Sequence, residues 1–201
     1  MKKYVTIYSL VSWIVLLIQF ILIIQNRVVS IPETIVRFFS FFTILTNILV
    51  AITFTVIWLQ PKNSWAFFLK ANTQTAIAVY ILIVGIVYNI ILRFIWQPQG
   101  LQRIVDEFLH LIIPIVYVLF WYLEVDKKTL KWNTIFGWLI YPLVYVFIIL
   151  LIGSFSNYYP YPFIDVAKLG YYSVVINSVL LTLFFGLVSV IFVFVAKRRS
   201  K

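Results

Sequence analysis

Polar residues set in apolar sequence are the candidates for chemistry in this chain. Because a polar side chain inside a membrane is costly, each is a functional candidate. A hydroxyl can act as a nucleophile when a nearby histidine removes its proton. The chain holds both groups, with two amides and a guanidinium, near one predicted face of the membrane: Ser40, Thr43, Asn47, Asn89, Arg93 and His110.

The hydroxyls belong to the predicted second span. Ser40, Thr43 and Asn47 are spaced i, i+3 and i+7, so we expect them to line one face of a helix, with Arg37 at its outer end. The alternative is structural. Serine and threonine can bond back to carbonyls of their own helix, and an asparagine can join helices.

His110 is the only histidine and lies in the predicted fourth span. Asp106 precedes it by four residues and can share its helix face. An imidazole with a carboxylate nearby can act as a base near neutral pH, so we expect Asp106 to orient His110. Pro114 predicts a kink that exposes helix carbonyls. The alternative is an interfacial histidine that bonds a neighbouring helix or the headgroup zone.

Two asparagines and an arginine complete the candidate site. Asn89 and Arg93 are one turn apart near the outer end of the third span, and Asn177 lies in the outer half of the sixth. These groups can bind a polar head group or stabilise an oxyanion, as can Asn47. Arg93 could instead only extend its charge to the interface.

The elements that position these residues are membrane helices. With 64% apolar and 11% charged residues, the chain is far from the composition of soluble domains. We predict an all-α integral membrane protein, a six-transmembrane helix bundle that forms one domain over residues 1–201. A span needs about 20 apolar residues. The predicted spans are 4–24, 38–59, 71–95, 108–123, 136–152 and 171–195.

The distribution of basic residues predicts the orientation. With both termini cytoplasmic, that side carries eleven Lys and Arg residues and the other carries five, as the positive-inside rule requires. We therefore predict an N-in/C-in protein of a bacterial cytoplasmic membrane. The net charge of +10 indicates contact with anionic membrane lipids, and no nucleic-acid partner is expected.

The composition also excludes several kinds of chemistry. The absence of cysteine excludes disulfides, thiolate metal sites and a cysteine nucleophile. A single histidine without an acidic cluster inside the spans argues against a transition-metal site. No lysine or carboxylate lies in the middle of a span, which argues against a Schiff-base chromophore and a carboxylate proton relay. We expect no metal and no cofactor.

Three local patterns carry a family resemblance. They are a hydroxyl followed by polar residues three and seven positions later, a histidine followed at short range by proline, and a Tyr-Pro segment before the last span. In these features the chain resembles the six-helix membrane family of androgen-induced gene 1 protein and androgen-dependent TFPI-regulating protein. The segments concerned are Ser40–Asn47, His110–Pro114 and Tyr161–Phe163.

The resemblance implies an activity. Characterised members are intramembrane threonine hydrolases that cleave fatty acid esters of hydroxy fatty acids, with the threonine on the second span and a histidine on the fourth. Here the position of the family nucleophile holds Ser40, and Thr43 lies one turn later, so both remain candidates. His110 matches the family histidine, although its proline is one residue nearer. The competing hypotheses are a protein that binds or transports lipids or small molecules without catalysis, and a purely structural bundle.

Overall fold

The chain is helical in its computed structural model, which describes residues 3–61 and 65–199. Helix accounts for 84% of the chain, and no strand occurs in those two ranges. The predicted all-α class is confirmed. The backbone groups into two compact units, Met1–Thr129 and Leu130–Lys201. The single domain over the whole chain stays a prediction.

Six helices of the described part are long and apolar enough to cross a membrane. This confirms the predicted number of spans, and the observed elements are mostly longer at their ends than the predicted ones. A helix satisfies its own backbone polar groups, which is what a chain in hydrocarbon requires. The six elements are Lys3–Gln25, Phe42–Leu59, Ala71–Phe94, Gly100–Glu124, Thr134–Ser156 and Val166–Arg199.

The second span begins later than predicted. The short helix α2 (Ile31–Ser40) follows α1 (Lys3–Gln25), and α3 (Phe42–Leu59) begins only after Phe41, whose backbone is extended at φ −79° and ψ 122°. The Ser30 side chain caps α2 with proline in its first turn, so a separate helix starts upstream. The expectation that Ser40 shares one helix with Thr43 and Asn47 is therefore wrong.

Helix α5 (Ala71–Ile90) is the most buried span of the first unit and follows the single turn α4 (Ala66–Leu69). It packs against α3 and against the last part of the fourth span. Helix α1 packs against α3, where the hydroxyls of Ser9 and Thr55 are 2.8 Å apart. The first unit thus places α3 and α5 side by side against the fourth span.

The fourth span starts eight residues before its predicted beginning and is not one continuous α-helix. Helix α6 (Gly100–Glu107) runs into a π-helical turn (Phe108–Ile112), which runs into α7 (Ile113–Glu124). Pro114 lies in the first turn of α7. Single π-helical turns inside α-helices occur frequently at functional sites. This one contains His110.

The second unit consists of α8 (Thr134–Ser156), a 3₁₀ turn (Pro162–Ile164) and α9 (Val166–Arg199). Helices α8 and α9 pack against each other. Gly170 interrupts the helical backbone of α9 with φ 72°, a conformation that suits glycine because it lacks a Cβ.

Candidate functional site around His110

The imidazole of His110 is held in one orientation by the backbone. His110 is 9% exposed, and its Nδ1 lies 2.9 Å from the carbonyl oxygen of Asp106. A carbonyl can only accept, so a neutral imidazole bound in this way carries its proton on Nδ1 and its lone pair on Nε2. Within the described ranges no group hydrogen-bonds to Nε2. The basic nitrogen is therefore the one left available.

A tyrosine ring fixes the plane of the imidazole. The rings of Tyr88 and His110 are stacked, with centroids 3.8 Å apart and planes 12° apart. On the Tyr88 ring the guanidinium carbon of Arg93 also lies 5.2 Å from the centroid. Stacking and the Nδ1 bond together restrict both rotation and displacement of the imidazole.

The backbone at His110 has two carbonyls without an ordinary partner. In a π turn the partner of the Leu109 carbonyl is the N–H of residue 114, and in an α-helix residue 114 is the partner of the His110 carbonyl. Pro114 has no N–H to give to either. The Ile113 N–H is already bonded to the Phe108 carbonyl.

Two asparagines occupy these carbonyls. Asn47 Nδ2 donates to the Leu109 carbonyl at 3.3 Å, and Asn89 Nδ2 donates to the His110 carbonyl at 3.1 Å. Each Nδ2 also donates within its own helix, to the carbonyls of Thr43 and Gly85, both at 2.8 Å. An amide nitrogen has two hydrogens, so in both asparagines each of these hydrogens is already donated to a backbone carbonyl.

The Asp106 carboxylate is hydrogen-bonded to groups other than His110. It is buried and accepts hydrogen bonds from Trp96 Nε1 at 2.8 Å and Gln102 Nε2 at 2.9 Å, with the Tyr88 hydroxyl at 3.5 Å. Asp106 therefore contacts the imidazole through its carbonyl, whereas the sequence suggested its carboxylate. The carboxylate instead joins α6 to the segment that follows α5.

Arg93 makes a partly exposed ion pair within the first unit. Its Nη1 and Nη2 bind Glu107 Oε1 and Oε2 at 2.5 and 2.8 Å, and its Nε donates to Asn89 Oδ1 at 3.0 Å. The Arg93 guanidinium is therefore bound by side chains of the protein and does not only extend its charge to the membrane interface. This bidentate pair links the 3₁₀ turn Leu92–Phe94, which follows α5, to the end of α6, next to the π turn.

The hydroxyl candidates lie on different helices. Ser40 is 3% exposed, and its Oγ donates to the Val36 carbonyl at 2.7 Å, as in the structural interpretation of this residue. Thr43 is buried on α3, one turn before Asn47, and that asparagine reaches the π turn. The α3 face that carries Thr43 therefore lies against the turn that carries His110.

Of the remaining predicted site residues, Asn177 lies in the second unit. Its Nδ2 donates to the Phe163 carbonyl at 2.9 Å and fastens the 3₁₀ turn to α9. Sequence reasoning missed the roles of Tyr88, Trp96 and Glu107. The adjacency of Tyr88 to Asn89, and of Glu107 to Asp106, was the available signal.

A cavity of about 560 Å³ lies elsewhere in the first unit. Its lining includes Tyr4, Gln74, Phe120 and Glu124, and none of the predicted site residues. Glu124 ends α7, fourteen residues after His110, which corresponds to about 20 Å along a helix. The cavity is therefore separate from the site around His110.

No family model, curated protein or solved structure matches the chain. In the described part of the chain, no group of three or more histidine and acidic side chains could hold a metal ion.

Proposed function

We propose that this protein is a membrane-embedded hydrolase of lipid esters, with His110 as general base and Ser40 or Thr43 as nucleophile. The observation that carries the proposal is the fixed imidazole, with Nδ1 bound to the Asp106 carbonyl and Nε2 available. The hydroxyl-bearing helix α3 is joined to the same turn through Asn47. The resemblance to the androgen-induced gene 1 family supports the same chemistry.

The proposed reaction uses water and no other co-reactant. The nucleophile oxygen attacks the ester carbonyl as His110 Nε2 takes the hydroxyl proton. The intermediate then expels the alcohol oxygen, which takes that proton from His110, and leaves an acyl-enzyme. Water attacks the acyl-enzyme with His110 again as base. The acid departs, and the nucleophile recovers its proton.

The proposal includes a position in the membrane. The six apolar helices form a six-transmembrane bundle with both termini in the cytoplasm of a bacterial cell, supported by the excess of basic residues on that side. His110 then lies near the outer face, within reach of acyl chains from the bilayer. Long-chain esters dissolved in that leaflet are the proposed substrates.

Labelling with a fluorophosphonate, which traps an activated hydroxyl, tests the proposal. We expect the probe to label wild type and not His110→Ala. We also expect labelling to be lost in one of the two variants Ser40→Ala and Thr43→Ala, after all four proteins have been confirmed to be folded. Ser12→Ala is the matched control, because Ser12 is also buried and bonds back to its own helix at 2.8 Å. An unlabelled, folded wild type would contradict the proposal, as would equal labelling of wild type and His110→Ala.

The alternative is binding or transport of a lipid without catalysis. The bond from Ser40 Oγ to the Val36 carbonyl favours it, because a hydroxyl engaged in its own helix is used structurally. Saturable binding of a long-chain ester that survives His110→Ala, without release of acid or alcohol, would support this alternative.

A further inference from the structure

We propose that Asn47 and Asn89 are positioning residues, which together replace the amide N–H that Pro114 lacks and hold the π turn in the form that presents His110. The sequence suggested contact with substrate or an oxyanion for both residues. In the structure each Nδ2 already donates to two carbonyls, so neither has an amide hydrogen left for a ligand.

The need for these donors follows from the backbone. The carbonyls of Leu109 and His110 lose their helical partner at Pro114, and an unpaired carbonyl in a water-free interior costs free energy. Leu109 is buried in the first unit, where side chains must supply the donors. Asn47 from α3 and Asn89 from α5 supply one each.

The two asparagines make the same pair of hydrogen bonds. Each donates one hydrogen to the carbonyl four residues earlier in its own helix and the other to the π turn. The first bond fixes the amide on its helix, and the second fixes the turn against that helix. Because α3 and α5 are both fixed to adjacent carbonyls, the turn is held from two directions.

The orientation of the Asn89 amide is set by its neighbours. Its Oδ1 accepts from Arg93 Nε at 3.0 Å, and Arg93 is itself held by Glu107. A reversed amide would place NH₂ against the guanidinium and Oδ1 against the His110 carbonyl, which would lose both bonds. The Arg93–Glu107 pair thus directs Asn89 Nδ2 toward the backbone of His110.

Close packing makes the Asn89 bond possible. A Cβ added at Gly85 would lie 3.1 Å from the His110 carbonyl oxygen and 3.3 Å from Pro114 Cβ. Only glycine therefore lets α5 come this near to the turn without displacing a neighbour. Gly85 also provides the carbonyl that holds the other hydrogen of Asn89.

The single histidine of the chain permits a direct test. Nitrogen NMR of protein labelled at histidine reports the tautomer and surroundings of His110 without any substrate. We expect the Nδ1-protonated form in wild type and altered ring signals in Asn47→Ala and Asn89→Ala. Asn26→Ala is the matched control, because it removes an asparagine-to-carbonyl bond of 2.9 Å at the end of α1. Its ring signals should be those of wild type.

Restoring the missing N–H is the decisive step. Pro114→Ala supplies one donor, which can serve the His110 or the Leu109 carbonyl. For at least one of the two asparagines, the double variant with Pro114→Ala should therefore show the same His110 ring signals as Pro114→Ala alone. If a single variant does not fold, its double variant with Pro114→Ala should fold for at least one asparagine. Unchanged signals in both single variants, or no rescue in either double variant, would overturn the proposal.

The proposal rests on the proposed function only for its effect on activity. If wild type hydrolyses esters, we expect each asparagine variant to lose about 100-fold in kcat with KM unchanged, the loss typical of a misplacement of about 1 Å. Ring signals that respond as expected in a protein without hydrolysis would remove the proposed function and leave the positioning role. Hydrolysis by wild type, with ring signals that do not respond to the asparagine substitutions, would remove the positioning role and leave the proposed function.

Discussion

The side-chain nitrogen of Asn89 lies 3.1 Å from the carbonyl oxygen of His110, one of the two carbonyls that Pro114 leaves without a helical partner. This contact joins the third span to the residue with the only imidazole in the chain. It depends on how closely α5 approaches the π turn, which a substitution on α5 can change.

Gly85→Ala should separate α5 from the π turn. The added methyl would lie 3.1 Å from a backbone oxygen, tighter than ordinary contact. Overpacking of this kind costs about 1–3 kcal/mol, and the better helix propensity of alanine offsets about 1 kcal/mol. We expect a net loss of stability of up to about 2 kcal/mol in thermal unfolding in detergent, with altered His110 ring signals.

Gly137→Ala is the control for this prediction. Gly137 lies in α8, and apart from its chain neighbours and the nearby backbone of its own helix, no atom of the described residues lies within 4 Å of an added Cβ there. We expect the protein to gain up to about 1 kcal/mol from helix propensity alone. A Gly85→Ala protein as stable as Gly137→Ala, with wild-type ring signals, would refute the role of close packing at the π turn.

Tyr88→Leu should loosen the imidazole, whereas Tyr88→Phe should not. The stacked ring, 3.8 Å from that of His110, contributes about 0.5–1.5 kcal/mol beyond its burial. The hydroxyl adds little, because its 3.5 Å distance to Asp106 is long for a hydrogen bond. Thermal unfolding and the His110 ring signals measure both effects. An equal loss of thermal stability and an equal change of the His110 ring signals in both variants would indicate that the hydroxyl matters and the stacking does not.

Much of the fold could be predicted because hydropathy determines which segments enter the membrane. The six spans follow from length and composition alone, and Pro114 predicted a local disturbance of the fourth span. The break at Phe41 could not be predicted from hydropathy, because α2 is also rich in apolar residues and its last residues run directly into the apolar sequence of α3. The helix-start signal at Ser30 and Pro32 was the available clue.

The site could be predicted only by residue type. Spacing placed Asp106 and His110 on one face, but it could not distinguish the carboxylate from the carbonyl as the partner of Nδ1. The π turn and the two asparagine bonds depend on how three helices meet. Sequence periodicity describes one helix at a time, so it carries no information on that packing.

The Arg93–Glu107 pair should contribute modestly to stability despite its short distances. The two side chains are 35% and 28% exposed, and pairs that reach solvent typically contribute about 0.2–1 kcal/mol. A double-mutant cycle with Arg93→Met and Glu107→Gln should give a coupling in that range. Arg93→Lys should lose most of it, because an ammonium cannot form the bidentate contact. A coupling of zero would show that the pair contributes geometry only.

Trp96→Phe should destabilise the first unit by removing a donor from the buried Asp106 carboxylate. Leaving a buried acceptor without its donor costs about 1–3 kcal/mol, and Gln102 still serves the other oxygen, so we expect about 1 kcal/mol. Trp132→Phe is the control, since Trp132 is 47% exposed and its indole makes no hydrogen bond in the described ranges. Equal thermal stabilities of the two variants would contradict the role of Trp96.

The orientation of the first unit can be tested with single cysteines, because the chain has none of its own. Val28, which is 89% exposed between α1 and α2, lies outside if the N-terminus is cytoplasmic; Lys128, exposed after α7, then lies inside. A membrane-impermeant maleimide added to intact cells should therefore label Val28→Cys at once and Lys128→Cys only after permeabilisation. The reverse pattern would place both the N-terminus and the loop after α7 outside. It would also move His110 from the outer to the cytoplasmic half of the membrane, and any ester substrate would then have to enter from the inner leaflet.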